Sequence, residues 1–136
     1  GDALGISADY VKSRVQFGQA LIKFQATQHR LAEMFVEVQE VRSILYCGLA
    51  HLDADPGARR KAISAATVVT AGAGRLVADL AVQMHGGIGM TDEYRIGHYY
   101  KRLLAFWLLY GGTQEQLARL AASSPGEAGL RTRGWA

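Results

Sequence analysis

Histidine, cysteine and carboxylate side chains are the groups best suited to chemistry, and their spacing here argues against two kinds of site. The chain does not place its histidines with cysteine, aspartate or glutamate in the short-spaced sets that metal centres use. No nucleophilic serine or cysteine stands in a recognisable pattern with a histidine and an acid. The four histidines are His29, His51, His85 and His98. We therefore predict neither a metal site nor covalent catalysis.

Two glycine-rich segments could expose backbone N–H groups to a phosphate. GAGRLVA at 72–78 superficially matches a dinucleotide-binding pattern, but that pattern requires a preceding strand, and these glycines lie inside a helical stretch. Close packing between helices is the favoured interpretation of that segment. QMHGGIGMTDEY at 83–94 follows the end of a predicted helix. Taken alone, its glycine pair indicates an ordinary helix cap.

Hydrophobic periodicity predicts a helical protein without a sheet. The predicted helices cover residues 2–15, about 22–52, 59–85, about 93–106 and about 113–122. Pro56 is well placed to open the third helix, and two long helices joined by a short turn favour an antiparallel arrangement. The predicted fold is therefore all-α: an up-and-down four-helix bundle with an extra short C-terminal helix. It occupies residues 1–122, and residues 123–136 are predicted to form a flexible tail.

Composition limits the classes of partner. The chain of 136 residues has 49% hydrophobic residues, 20% charged residues and a net charge of +3, which suits one soluble domain. Its basic residues, such as Arg131 and Arg133, do not form the clustered face expected of a nucleic-acid-binding protein. No apolar run of bilayer length and no signal peptide is recognised, so we expect no membrane partner. A single cysteine, Cys47, favours a reducing, cytoplasmic location and is predicted to be buried.

Four sequence blocks, taken together in their order and spacing, resemble the C-terminal domain of the acyl-CoA dehydrogenase family. They are RVQFG at 14–18, FQATQHRLAEM at 24–34, QMHGGIGMTDEY at 83–94 and YGGT at 110–113. The resemblance covers residues 3 to about 122. It implies an FAD-dependent enzyme of fatty acid metabolism that dehydrogenates an acyl-CoA between Cα and Cβ. In this family a carboxylate removes the α-proton while the β-hydrogen passes as hydride to the flavin.

The resemblance also implies a larger protein. Family members add an N-terminal helical domain and a middle β-domain, so this piece alone is not expected to be active. They assemble as dimers or tetramers, here either homo- or hetero-oligomers, with each FAD lying across a subunit boundary. Electrons would then leave the flavin for an electron-transfer flavoprotein or a similar acceptor.

Matching residue by residue assigns FAD contacts to eight positions. These are Arg14, Phe17, Gln25, Gln83, Gly86, Gly87, Thr113 and Glu115. An arginine fork at position 14 suits the pyrophosphate of a neighbour's FAD, and a threonine at a helix N-terminus suits a phosphate. Glu115 better suits a ribose hydroxyl. Spacing alone leaves open a core aromatic role for Phe17 and a solvated surface role for Gln25.

One departure from the family pattern concerns the chemistry directly. Many members carry the catalytic glutamate where this chain has Gly111, and glycine cannot accept a proton, so no catalytic residue is assigned here. Three explanations stay open: a base upstream of this segment, a base-less subunit in an unequal assembly, or a shift to Asp92 or Glu93. A related flavin oxidase or monooxygenase is a further alternative. The altered run at 102–104, Arg-Leu-Leu, also leaves the acyl pocket wall undefined.

Overall fold

Five α-helices build the protein. The computed structural model describes residues 1–91, 94–110 and 112–123. The helices are α1 (Asp2–Ser13), α2 (Gln25–Ala50), α3 (Pro56–His85), α4 (Arg95–Leu109) and α5 (Gly112–Ser123). This architecture confirms the predicted helical bundle with a short C-terminal helix. The predicted tail after Ser123 lies outside the described residues.

Helix α3 is the central element, since α1, α2, α4 and α5 all pack against it. Apart from His85 in its last turn, its buried side chains are small: Ala62, Ala71, Ala73, Val77, Ala78 and Ala81. A Cβ built on Gly74 would stand 3.3 Å from the Leu103 side chain, so the predicted close packing is confirmed there. Nothing lies within 4 Å of a Cβ built on Gly72, and that glycine has no such role.

The core lies where α1, α2 and α4 meet the C-terminal half of α3. Met34 and Ile96 are fully buried within it, beside Val77 and Ala81. On α1 the buried positions are Ala3, Ser7 and Val11, which gives this helix one inward face. Ser7 is fully buried, and its hydroxyl has no hydrogen-bond partner among the described residues.

One helical stretch corrects an expectation from the sequence. Residues Pro56–Met90 are long and apolar enough, by length and composition, to cross a membrane. The apolar composition fits the place of α3 in the bundle, because α1, α2, α4 and α5 all pack against it. The stretch also carries an exposed ion pair, with Arg75 Nε 2.8 Å from Asp79 Oδ2, which hydrocarbon would disfavour.

The turn between α2 and α3 is held by local hydrogen bonds. Asp55 is the N-cap of α3, and its Oδ1 accepts from the backbone N–H groups of Gly57 at 2.8 Å and Ala58 at 3.1 Å. Pro56 occupies the first helical position, as predicted. Arg59 donates back to the Leu52 carbonyl at 3.1 Å, which fixes the antiparallel return.

A small hairpin shows that the expectation of no sheet was wrong. Helix α1 ends at Ser13, and β1 (Val15–Gln16) pairs antiparallel with β2 (Gln19–Ala20). The two turn residues both have positive φ, +53° at Phe17 and +79° at Gly18, as in a type I′ turn. Strands of two residues are too short to show the alternation by which a strand is recognised. A 3₁₀ turn (Leu21–Lys23) then leads into α2.

Cys47 is the third correction. It is exposed on α2, whereas the sequence interpretation made it a buried small residue. The inward face of α2 contains Met34, Val38 and Gly48 instead, and Cys47 falls beside that face rather than on it.

Candidate cofactor site

The hairpin joins the other candidate elements at one end of the bundle. Arg14 follows α1, its backbone N–H donating to the Tyr10 carbonyl at 2.8 Å, and its own carbonyl accepts from the Leu21 N–H at 2.9 Å. A cavity of about 210 Å³ is lined by Val11, Leu21 and Gln83, among others. Arg14 and the last turn of α3 therefore lie at the same end of the molecule.

Phe17 is the most exposed aromatic residue of this end. Its relative exposure is 90%, so the alternative of a core aromatic was wrong. The ring meets Phe24 edge-on, with centroids 6.2 Å apart, and Phe24 directly precedes Gln25 at the start of α2. A bulky residue at positive φ costs about 1–2 kcal/mol. Strained backbone clusters at functional sites, so Phe17 is a candidate for a contact outside this chain.

The polar candidates at this end are accessible. Arg14, Gln25 and Gln83 are all exposed. Within the described part of the chain, no carboxylate forms an ion pair with Arg14. The entry into α2 is fixed by Gln28, whose Nε2 donates to the Ile22 carbonyl at 2.9 Å. The guanidinium of Arg14 is therefore open to an anion from another molecule.

Gly86 and Gly87 leave the main chain accessible at the end of α3. Gly86 caps the helix with φ +62°, a conformation that glycine adopts without strain, and its N–H bonds to the Val82 carbonyl. Nothing lies within 4 Å of a Cβ built on either glycine. Both residues are exposed. A ligand could therefore approach the main chain here more closely than at any residue with a side chain.

Two glycines that the sequence interpretation did not assign, Gly89 and Gly97, shape this turn. A Cβ on Gly89 would stand 2.9 Å from the His85 Cβ, and one on Gly97 would stand 2.9 Å from the Thr91 carbonyl oxygen. Both glycines thus allow the 3₁₀ turn (Gly86–Met90) to pack tightly against α3 and α4. The signal available in the sequence was the third glycine of GGIG, which a simple cap does not need.

The remaining candidates lie at the other end. Glu115 is exposed in the first turn of α5 and forms an ion pair with Arg119. The following residue, Gln116, lines a cavity with Thr67 from the N-terminal half of α3. Along α3, the stretch from Thr67 to Gly86 rises about 28 Å. Glu115 thus lies far from Arg14 in the same chain.

Some predicted positions fall outside the described residues. They are the side chain of Thr113, the glycine at 111 and the two acidic residues at 92 and 93. Helix α5 begins at Gly112, so residue 113 belongs to its first turn.

The fold and this arrangement define a helical domain that presents accessible polar groups at its two ends. Residues 1–124 match the family described as "Acyl-CoA dehydrogenase, C-terminal domain". The match spans nearly all of the chain and shows that the chain belongs to the acyl-CoA dehydrogenase family. The resemblance seen in the four sequence blocks is confirmed.

Curated relatives are longer than this chain. It is 37% identical over 121 residues to the acyl-CoA dehydrogenase IpdE2 of Mycolicibacterium smegmatis, covering 88% of this chain and 36% of that protein. The chain thus spans about a third of the length of the curated relatives that it matches.

Solved structures show the same fold. A variant of the Tcur3481–Tcur3483 steroid ACAD superposes with a TM-score of 0.84 at 33% identity, covering 89% of this chain and 33% of that one. The ChsE4–ChsE5 complex from Mycobacterium tuberculosis gives a TM-score of 0.83 at 28% identity, covering 91% of this chain and 34% of that one.

Proposed function

We propose that this chain is the FAD-binding and oligomerisation domain of an acyl-CoA dehydrogenase. The whole enzyme would form the α,β double bond of an acyl-CoA thioester and pass the electrons through FAD to an electron-transfer flavoprotein or a similar acceptor. The observation that supports this most directly is the shared position of three features at one end of the bundle. They are the exposed Arg14, the exposed ring of Phe17 and the open backbone at Gly86 and Gly87.

These groups fit the diphosphate and adenine half of FAD. The guanidinium of Arg14 can donate two parallel hydrogen bonds to a pyrophosphate. Backbone N–H groups of the glycine turn can approach the same group, since no side chain stands in the way. Bound FAD supplies the hydride acceptor of the reaction; this chain supplies binding and orientation.

The distance between the two ends favours a site shared by two subunits. Thr113 and Glu115 belong to the first turn of α5, which packs on the N-terminal half of α3, far from Gly86. One chain cannot bring both groups to one diphosphate. We propose that each chain contributes one end to its own cofactor and the other end to a neighbour's, in an oligomer of at least two chains.

The base that accepts the α-proton must be a residue other than residue 111. Glycine there offers no carboxylate, and a positioned base typically contributes about 10²- to 10⁴-fold in rate. A carboxylate upstream in the full-length chain would complete the site. The alternative is a base-less subunit paired with a different chain, and both solved structures above are named for two proteins.

The test uses the full-length protein and FAD binding measured by flavin fluorescence. Arg14→Gln should weaken FAD binding about ten- to a hundred-fold, because a charge-assisted hydrogen bond is lost. Arg42→Gln, which removes an exposed arginine from the middle of α2, is the matched control and should leave binding unchanged. Equal FAD affinity in both variants would contradict the site.

The activity has its own test. Anaerobic mixing of the FAD-loaded protein with acyl-CoA should bleach the flavin absorbance and exchange the Cα proton in heavy water. Rapid reaction of the reduced flavin with oxygen would favour the oxidase or monooxygenase alternative. If acyl-CoA bleached the flavin only after a second, different chain was added, the unequal assembly would be supported.

A further inference from the structure

Three aromatic rings from three segments meet in the interior near the candidate site. His85, only 4% exposed, stacks on Tyr10 with ring centroids 4.3 Å apart and an interplanar angle of 27°. Tyr94 lies 5.0 Å from the His85 ring and meets Tyr10 edge-on at 6.1 Å. The cluster therefore ties the end of α3 to α1 and to the entry of α4.

The stack connects the two halves of the proposed FAD site. On one side, the Tyr10 carbonyl accepts the backbone N–H of Arg14 at 2.8 Å. On the other side, His85 is followed directly by Gly86 and Gly87. A shift between Tyr10 and His85 would move the arginine relative to the glycine turn. The pairing thus sets the geometry in which one diphosphate can meet both.

The hydrogen bonds of His85 define its protonation state. Its Nδ1 lies 2.8 Å from the Ala81 carbonyl oxygen, and a carbonyl can only accept, so Nδ1 carries the proton. Nε2 then carries the lone pair of a neutral imidazole. This atom is buried and has no partner among the described residues. A second proton would place an unpaired N–H and a full charge in that position.

Among the residues that the structure describes, no charged group packs on the ring to compensate such a charge. The groups packed on the ring from α1 and from the α4 entry are the phenols of Tyr10 and Tyr94. Asp9 and Arg95 line the adjoining cavity of about 480 Å³, but both are exposed to solvent. Burial lowers the pKa of His85, against a smaller opposing effect of the hydrogen bond to Ala81.

We propose that His85 is a positioning residue for FAD binding, which holds Arg14 and the Gly86–Gly87 turn in register through its stack with Tyr10 only while the imidazole is neutral. The inference rests on the proposed function and deepens it. Affinity for FAD is then complete as long as the pH stays above the pKa of His85 in the folded protein, which burial holds below the ordinary histidine value of about 6.5. It falls as the pH drops through that lowered pKa, because protonation favours an open arrangement in which the ring is solvated.

The experiment measures the FAD dissociation constant of the full-length protein between pH 4.5 and pH 8. His85→Phe keeps an aromatic ring in the stack but cannot titrate, so its loss of affinity on acidification should be at least ten-fold smaller than that of the wild type. His85→Ala removes the stack and should weaken binding about ten-fold throughout the range. His51→Phe, at the opposite end of the bundle, is the matched control and should retain the wild-type pH profile.

Three outcomes separate the two levels of the proposal. Absence of FAD binding by the wild type at pH 8 overturns the proposed function itself. Normal binding with the same pH profile in His85→Phe as in the wild type overturns only the role of His85. If His85→Phe does not fold, NMR of ¹³C-labelled histidine in the wild type decides. A ring that titrates near the ordinary histidine value would overturn the inference, and one that stays neutral well below it would support it.

Discussion

Gly89 and His85 are in such close contact that a Cβ atom on Gly89 would stand 2.9 Å from the Cβ of His85. It would also stand 3.2 Å from the backbone carbonyl oxygen of Val82, which cannot move without disturbing α3. The third glycine of the turn is therefore a packing residue, whereas Gly86 and Gly87 leave the backbone open.

Gly89→Ala should lower the free energy of unfolding by about 1–3 kcal/mol, as overpacking of a tight contact does. Urea unfolding followed by circular dichroism would measure it. Gly87→Ala is the control, because nothing lies within 4 Å of its Cβ, and it should change stability by less than about 0.5 kcal/mol. Equal destabilisation of both variants would show that the contact at Gly89 is not the cause.

Phe17→Asn should stabilise the protein by about 0.5–1 kcal/mol and weaken FAD binding. Asparagine tolerates positive φ, and Asn-Gly is a preferred pair for a type I′ turn, so the strain at φ +53° is relieved. Phe17→Leu keeps the strain and removes the ring, so it should weaken FAD binding without the gain in stability. A loss of stability in Phe17→Asn would mean that the edge contact with Phe24 outweighs the strain.

Ser7→Ala should raise the free energy of unfolding, because the Ser7 hydroxyl is buried and finds no partner in the described part of the chain. An unsatisfied buried polar group costs about 1–3 kcal/mol. Ser43→Ala is the matched control, since it makes the same change in an exposed helical position, where the hydroxyl bonds the Gln39 carbonyl. In thermal unfolding, the free energy of unfolding of Ser7→Ala should exceed that of Ser43→Ala by about 1 kcal/mol. Equal effects of the two substitutions would indicate that a water satisfies the Ser7 hydroxyl.

Acid should destabilise the protein partly through His85. Its pKa is lower in the folded state than its ordinary value of 6.5, so the unfolded chain binds the proton more readily. The contribution is present in full above about pH 6.5 and is lost as the pH falls from there through the lower folded pKa, at up to about 1.4 kcal/mol per pH unit. Urea unfolding at several pH values should show that the free energy of unfolding decreases less on acidification in His85→Phe than in the wild type.

The helices could be predicted from the sequence because their signals are local. Apolar spacing, the proline at 56 and the glycines after α3 lie along the chain and place each helix within a few residues of its observed bounds. The hairpin at Val15–Ala20 could not be predicted in this way. Its pairing is held by two short strands and one strained turn, and neither leaves a repeating pattern.

The candidate site likewise contains residues that could be predicted from the sequence and one that could not. Family resemblance indicated Arg14, Phe17 and Gly86 by their motifs, and the structure finds these three exposed at one end. The role of His85 could not be predicted, because it depends on rings that lie far apart in sequence, at Tyr10 and Tyr94. A family resemblance therefore predicts the residues that contact a ligand more readily than the residues that pack beneath them.

The central helix also acts as a spacer of fixed length. Gly86 follows the C-terminal end of α3, and α5 with Glu115 packs on its N-terminal half. One continuous helical rod therefore separates groups that are proposed for two different cofactors. Deleting a single residue between Thr67 and Gly86 would shorten the rod by about 1.5 Å and rotate one end against the other by about 100°. Substitutions that keep small side chains along α3 would be tolerated far better than any change in its number of residues. The geometry of the two proposed sites therefore depends on the length of α3 more than on which small side chains it carries.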